Sequence, residues 1–450
     1  MKRAATALSV LLTVFLTVLA AGCGGGDSDK STATGTATGK SVEAADITLW
    51  VGFSARELGV FKDVVADFEK EYPQIHVKVV GNISDDKIVT AIRGGNAPDV
   101  AQSFSSDNTG AFCSTGAWID LGDYMERDGV DPSVFPEVSQ YYTEYDGKRC
   151  ALPVLADTYG LYYNKDLFAK AGLSGPPKTI SELTEYAKKL TEKNPDGSLK
   201  VVGFDPISGF YENAAAHYGP SWGAKWIDDE GKSTLSTDPG WAKYLQWKKD
   251  LIDWYGYDNL VKFQTGAGDE FSPSNAFERG KLAMNMDGEW RVAFIENETP
   301  DLNYATAPFP VADESPDLYG AGYVTGSIVG IPKTSDHKDQ AWELLKYLAT
   351  DDHALATLSN GVRNVPTTTS SLTSDELEPD PNFATFLDVF GNENSSTTPI
   401  TLVGAANQEL FEAFVAKWQA GRISDLQAGL ANVDEQIDAQ LENAAGGQVP

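Results

Sequence analysis

The sequence predicts an α/β fold in which helices flank a largely parallel sheet. Three observations carry this. The body opens as strand, helix, strand: Ile47 to Val51 is a short apolar run, Leu58, Phe61, Val64, Val65 and Phe68 recur at helical spacing, and Ile75, Val77 and Val79 alternate. A second alternation of the same kind begins near Tyr159. The chain beyond Asp46 is also long enough for two or three domains. Strands that alternate with helices imply parallel pairing, because a parallel return needs a crossover.

Each element has a local signal. Pro73 ends the first helical region, Ile88 to Ile92 starts a short second one, and Gly94-Gly95 stops it. Ala97-Pro98-Asp99-Val100 leads into a third strand. After the run Tyr159 to Asn164, Thr179 and Glu182 form a capping-box pattern ahead of Leu183, Tyr186, Ala187 and Leu190. The stretch from Ala214 to Phe294 reads as helical with aromatic-rich loops. A strand returns at Gly326 to Ile331, followed by an amphipathic helix through Ala341, Leu344, Leu345 and Leu348. Residues from Ala405 to about Asn443 read as helical.

The first residues have a different character. Lys2 and Arg3 precede an apolar run from Ala4 to Ala21, then Gly22 and Cys23. A charged start, an apolar middle and small residues before a cut site mark a secretory signal. With a cysteine at the cut, the segment resembles a bacterial lipoprotein signal over residues 1–22, which implies lipidation of Cys23. Ala20 stands where such signals often carry Leu. Residues 23–45 are nearly devoid of apolar side chains and read as a flexible tether, with a reach on the order of 27 Å. The expected location is outside the cytoplasm, lipid-anchored to the cell membrane.

Composition narrows the partners. The net charge of −30 repels nucleic acid and anionic lipid. Several of the ten Trp sit in Gly- and Pro-rich contexts (Trp222, Trp226, Trp254, Trp290), where core packing or an aromatic-lined site would use them. Cys113 and Cys150 remain once Cys23 is set aside, and an oxidising compartment predicts that they pair.

No catalytic constellation emerges. Gly219-Pro220-Ser221-Trp222-Gly223 matches the hydrolase elbow GxSxG, but the segment before it reads as helix rather than strand. The four His are scattered at no metal spacing. Asp228 to Gly231 lacks a calcium-loop pattern and reads as a hairpin turn. Neither a cofactor nor a metal is expected.

Four segments together resemble extracellular solute-binding proteins of the sugar-binding ABC-importer class, the maltose-binding-protein-like family. They are Phe68 to Val77, Ala97 to Val100, Tyr162 to Phe168, and Ala276 to Met284 running into Gly288-Glu289-Trp290; Gly361 to Pro366 fits the family's turn back into its second lobe. The resemblance implies a two-lobed periplasmic-binding-protein-like (class II) fold, each lobe a mostly parallel sheet flanked by helices, with three interlobe crossings. Lobe one is expected at 46–156 and 308–359, lobe two at 157–307 and 360–445. It also implies a monomeric binding protein rather than an enzyme, passing a neutral sugar, a di- or oligosaccharide, to ABC permease subunits.

Carried over by motif, the expected ligand contacts are Phe53 and Ser54 after the first strand, Ser105, Ser106 and Asp107 after the third, Asp157 and Tyr159 at the first crossover, and Phe210 and Tyr211 after the strand Val201 to Phe204. Glu289 and Trp290 come from the hallmark stretch, Gly322 and Tyr323 from the second crossover, and Arg363 from the third. Aromatic faces would stack on sugar rings while Asp, Glu, Asn and Arg take hydrogen bonds from the edge. The rival readings are a polyol or glycerol phosphodiester as the solute, or a secreted polysaccharide hydrolase.

Overall fold

A computed structural model describes residues 42–207 and 210–446. Cys23, the leader and most of the tether lie outside them. Twelve strands are present among the described residues: β1 Ala45–Trp50, β2 Ile75–Val80, β3 Val100–Ser103, β4 Glu144–Tyr145, β5 Lys148–Arg149, β6 Leu152–Asn164, β7 Glu192–Lys193, β8 Leu199–Phe204, β9 Leu282–Gly288, β10 Tyr304–Ala307, β11 Val324–Gly330 and β12 Val365–Pro366.

The opening β-α-β forms as its periodicity predicts. Helix Ala55–Glu71 buries Phe61, Val64, Val65 and Phe68, and β1 pairs in parallel with β2 and β3. Helix Ile180–Leu190 carries the full capping box, Thr179 accepting from Glu182 N while the Glu182 carboxylate accepts from Thr179 N.

The spine of the molecule is β6. The sheet runs β2-β1-β3-β11-β6-β9-β8-β7, with β10 and β12 also on β6. The first part of β6 pairs antiparallel with β11 and β12, the second with β9 and β10. One strand thus belongs to two half-sheets, each with parallel pairs on its far side: β1–β2 and β1–β3 in one, β8–β9 in the other. The core does not divide so cleanly. Leu152, Val154 and Leu155 join one buried cluster, Ala156, Tyr159, Leu161 and Tyr162 the other. The larger cluster also takes Ala101, Phe112, Trp118 and Ile328 from the first half. The chain passes from one half to the other along β6, between β10 and β11, and after β12, where helix Pro381–Phe390 packs Phe386 against Tyr162 at 5.6 Å.

Three sequence readings need correction. The sheet is mixed rather than mostly parallel, because every strand that pairs with β6 or β11 runs antiparallel to it. The stretch from Ala214 to Phe294 is not all helix and loop: β9 lies within it, at the centre of one half-sheet. Its seven residues are all buried and include Asn285 and Asp287, with no β-branched side chain, so neither alternation nor propensity marks it. The C-terminal region is two helices, Ala406–Gln419 and Leu426–Ala445, broken near Gly421, which adopts φ 67°. The Asp228–Gly231 turn is a hairpin turn, closed by Asp228 N donating to Lys232 O at 3.0 Å.

Candidate functional site

Where the half-sheets meet, four segments deliver aromatic rings to one place. Tyr159 comes from the middle of β6, Trp290 from the end of β9, Tyr211 and His217 from short 3-10 turns after β8, and Tyr323 from the segment entering β11. His217 packs against two of them, 4.0 Å from Tyr159 and 4.6 Å from Tyr323 by ring centroid, and those two rings also meet at 5.6 Å. Trp290 meets Tyr159 edge-on at 5.6 Å and lies nearly parallel to Tyr211 at 6.4 Å. Tyr211 is 51% exposed, so the cluster opens to solvent there.

The polar tips of this cluster matter. His217 Nδ1 lies 2.9 Å from Glu212 O. A carbonyl can only accept, so Nδ1 carries the proton and Nε2 is a bare acceptor. Burial pulls the imidazole pKa down to about 4, which keeps it neutral. His217 Nε2 and Trp290 Nε1 are buried without a hydrogen-bond partner among the described residues. One acceptor and one donor are therefore available inside an aromatic enclosure, where an unmet polar group is costly.

Carboxylates border the rings. Asn364 Nδ2 donates to both Asp157 Oδ1 and Glu289 Oε1 at 2.6 Å, and Thr158 N donates to Glu289 Oε2 at 2.7 Å. Burial raises both acids, Asp157 to about 7 and Glu289 well above the usual range, with the neighbouring Asp157 charge adding to the latter. Asp107 accepts from Thr398, from Gln408 Nε2 at 2.6 Å and from Ser105 Oγ at 3.0 Å. Ser106 Oγ bonds Thr325 Oγ1 at 2.9 Å.

Behind the rings, Arg291 is fully buried beside Asp287 at 2.9 Å, Glu278 at 3.4 Å and Glu212 at 3.5 Å. One guanidinium cannot balance three buried carboxylates. Burial and then Asp287 push Glu212 up to about 11, so it is neutral and the excess charge is relieved. Glu212 follows Tyr211 and Arg291 follows Trp290, so this cluster anchors the backbone of both platforms.

The remaining expected contacts disperse. Phe53 is buried, stacked on Phe61 at 4.8 Å, while Ser54 is exposed at the start of the first helix. Phe210 is half-buried beside Tyr211, and Gly322 N donates to Ser395 Oγ at 3.0 Å. Arg363 pairs with Glu296 at 3.2 Å and lies over the Phe383 ring, a different neighbourhood from the aromatic cluster. His217, Asn364, Thr398 and Gln408 belong to the site region and had no motif to announce them.

A cavity of about 660 Å³ borders the cluster through Tyr323. Its walls come from Pro136 to Tyr141, Gly219 to Ile227 and Phe390 to Pro399. Ser221 of the elbow-like motif is buried on a 3-10 turn that no strand precedes, and His217 Nδ1 is committed to Glu212 O. Among the described residues no group of His, Cys, Asp and Glu suits a metal ion. Among them, too, no helix is long and apolar enough to cross a membrane.

Known proteins share this fold. The bacterial extracellular solute-binding protein family matches residues 54–354. The diacetylchitobiose binding protein DasA of Streptomyces coelicolor is 26% identical over 348 residues, 75% of this chain and 76% of that protein. The sn-glycerol-3-phosphate-binding periplasmic protein UgpB of Pectobacterium atrosepticum is 28% identical over 329 residues, 69% of this chain and 71% of that one. The solved structure of CpMnBP1 with mannotriose bound has a TM-score of 0.76 at 27% identity, covering 87% of this chain and 99% of that chain. Matched over most of its length, and similar to binding proteins rather than enzymes, the chain belongs to the bacterial extracellular solute-binding proteins.

Proposed function

We propose that this protein captures a neutral di- or oligosaccharide between two lobes and delivers it to an ABC permease. The lobes are residues 46–156 with 308–359, and 157–307 with 360–445. The observation that carries the reading is the aromatic cluster of Tyr159, Tyr211, His217, Trp290 and Tyr323, with its unpartnered His217 Nε2 and Trp290 Nε1. Flat apolar faces beside isolated hydrogen-bonding tips suit a pyranose ring edged with hydroxyls. DasA and mannotriose-bound CpMnBP1 bear names that point the same way.

Resemblance to a glycerol-phosphate binder raises the phosphate alternative. Phosphate wants uncommitted cations. Here Arg291 and Arg363 are paired with carboxylates, and Lys225 shares the cavity wall with Glu137 and Glu393. A neutral ligand fits this lining better.

Lipidation of Cys23 and the tether would hold the monomeric body near its permease. Cys113 and Cys150, with Cα atoms 5.5 Å apart, would be bridged within lobe one and leave the lobes free to move. An intact-mass measurement on membrane-extracted protein reads both modifications.

The deciding experiment is a thermal-shift screen against mono-, di- and trisaccharides, mannitol and sn-glycerol 3-phosphate. An oligosaccharide at about 100 times its Kd should stabilise the protein by about 2.7 kcal/mol. Trp290→Ala should abolish that shift while the fold persists. A shift with glycerol phosphate alone, or an undiminished one in Trp290→Ala, would reject the reading.

A further inference from the structure

The cavity beside Tyr323 does not end at its own wall. Tyr141 lines it and also lines a second cavity, of about 420 Å³, formed with Gln140, Glu144, Tyr145, Asp146, Arg149 and Ile400. The opposite wall is continuous as well, since Pro399 borders the first space and Ile400 the second. Two cavities therefore follow one another along the same pair of chain segments, with Tyr141 at the junction.

Tyr141 is unusual for its position. It lies in helix Glu137–Tyr142, whose next residue, Tyr142, is fully buried with its hydroxyl 3.1 Å from Ser139 Oγ. Tyr141 points the other way and is 50% exposed. A large exposed aromatic set in a concave surface is informative in a way that a scattered surface side chain is not. Around the second cavity stand a planar amide (Gln140), two carboxylates (Glu144 and Asp146) and a guanidinium (Arg149). Arg149 Nη2 donates to Glu144 at 2.8 Å and Gln140 Nε2 donates to Phe135 O at 2.8 Å, which holds those groups in place. An aromatic face followed by fixed planar polar groups is the alternation that successive sugar units require.

We infer that the binding site extends past Tyr141 into this second cavity, and that the ligand is an oligosaccharide long enough to cross it, with Tyr141 as a stacking platform between the two spaces. This rests on the sugar reading above and adds chain length to it. The ligand class it names is a linear or gently curved oligosaccharide of more than two units, whose far end meets Gln140, Glu144 and Arg149.

Titration calorimetry with manno- and malto-oligosaccharides of two to six units tests it. In the unaltered protein the affinity should keep rising beyond the disaccharide, by about tenfold in total, the equivalent of about 1.4 kcal/mol. In Tyr141→Ala that gain should vanish, so that long chains bind no more tightly than short ones; Tyr141→Trp should restore it. Thermal melting of each variant checks the fold. An affinity flat from two units upward, or the same gain in Tyr141→Ala, overturns the extension and leaves the sugar reading standing. Failure of every oligosaccharide to bind would instead bring down the sugar reading, and the extension with it.

Discussion

The Trp290 indole lies over Gly288. A Cβ on Gly288 would fall 2.3 Å from two of its ring carbons, well inside contact distance. The glycine is a seat: it lets the ring fold back on its own strand and hold its near-parallel relation to Tyr211. Gly288→Ala should therefore push the indole outward. Sugar affinity should drop about tenfold, since stacking contacts contribute on the order of 1 kcal/mol each. Fluorescence titration reads the outcome, and an unchanged Kd would mean that the seat is irrelevant. At this scale the sequence was legible where a motif carried the residue. Trp290 follows directly from its hallmark stretch. His217 does not, because its place in the cluster exists only once Tyr159 and Tyr323, distant in sequence, pack against it. Asn364 is likewise one more polar residue until its amide is found bridging Asp157 and Glu289.

Among the elements, β6 carries most of the architecture, and its midpoint holds an electrostatic conflict. Asp157 is raised to about 7 by burial, and Glu289, tied to it through Asn364, is raised as well. The folded state therefore keeps protons that the unfolded chain releases near pH 4. Where the folded state binds more protons, stability falls as pH rises. The loss from Asp157 should run from about pH 4 to about pH 7, with a slope of up to about 1.4 kcal/mol per pH unit, and Glu289, raised further, carries its share to higher pH. Asp157→Asn keeps an oxygen for Asn364 and removes the titrating group. Melting temperature against pH should accordingly be flatter between pH 5 and 8 in the variant; identical slopes would show that Asp157 titrates in the same way folded and unfolded. The elements themselves divide by the kind of signal they carry. Helix Ala55–Glu71 and the capped helix Ile180–Leu190 were plain from periodicity and capping. β9 was not, because a strand buried on both faces loses the alternation that identifies strands, and its Asn285 and Asp287 are there for a polar cluster around Arg291.

For the molecule as a whole, the question is what holds the proposed lobes together. Asp107 stands in one, Thr398 and Gln408 in the other, and their hydrogen bonds meet at a single buried carboxylate. Tyr323 OH extends the chain by bonding Thr398 Oγ1 at 3.1 Å, which links the aromatic cluster to this junction. A ligand that contacts Tyr323 can therefore favour the geometry in which Asp107 is satisfied, and such a preference is what moves an open–closed equilibrium. Asp107→Asn offers one acceptor oxygen where there were two and turns an amide donor toward the Gln408 amide, so the closed arrangement loses stabilisation relative to the open one. Small-angle scattering should then give a larger radius of gyration for the ligand-free variant, and oligosaccharide affinity should fall about tenfold, the consequence of a shift of about 1.4 kcal/mol in that equilibrium. Scattering curves that superimpose on the unaltered protein, together with an unchanged affinity, would assign these bonds to local packing and place the control of closure elsewhere along β6 and its neighbouring crossings.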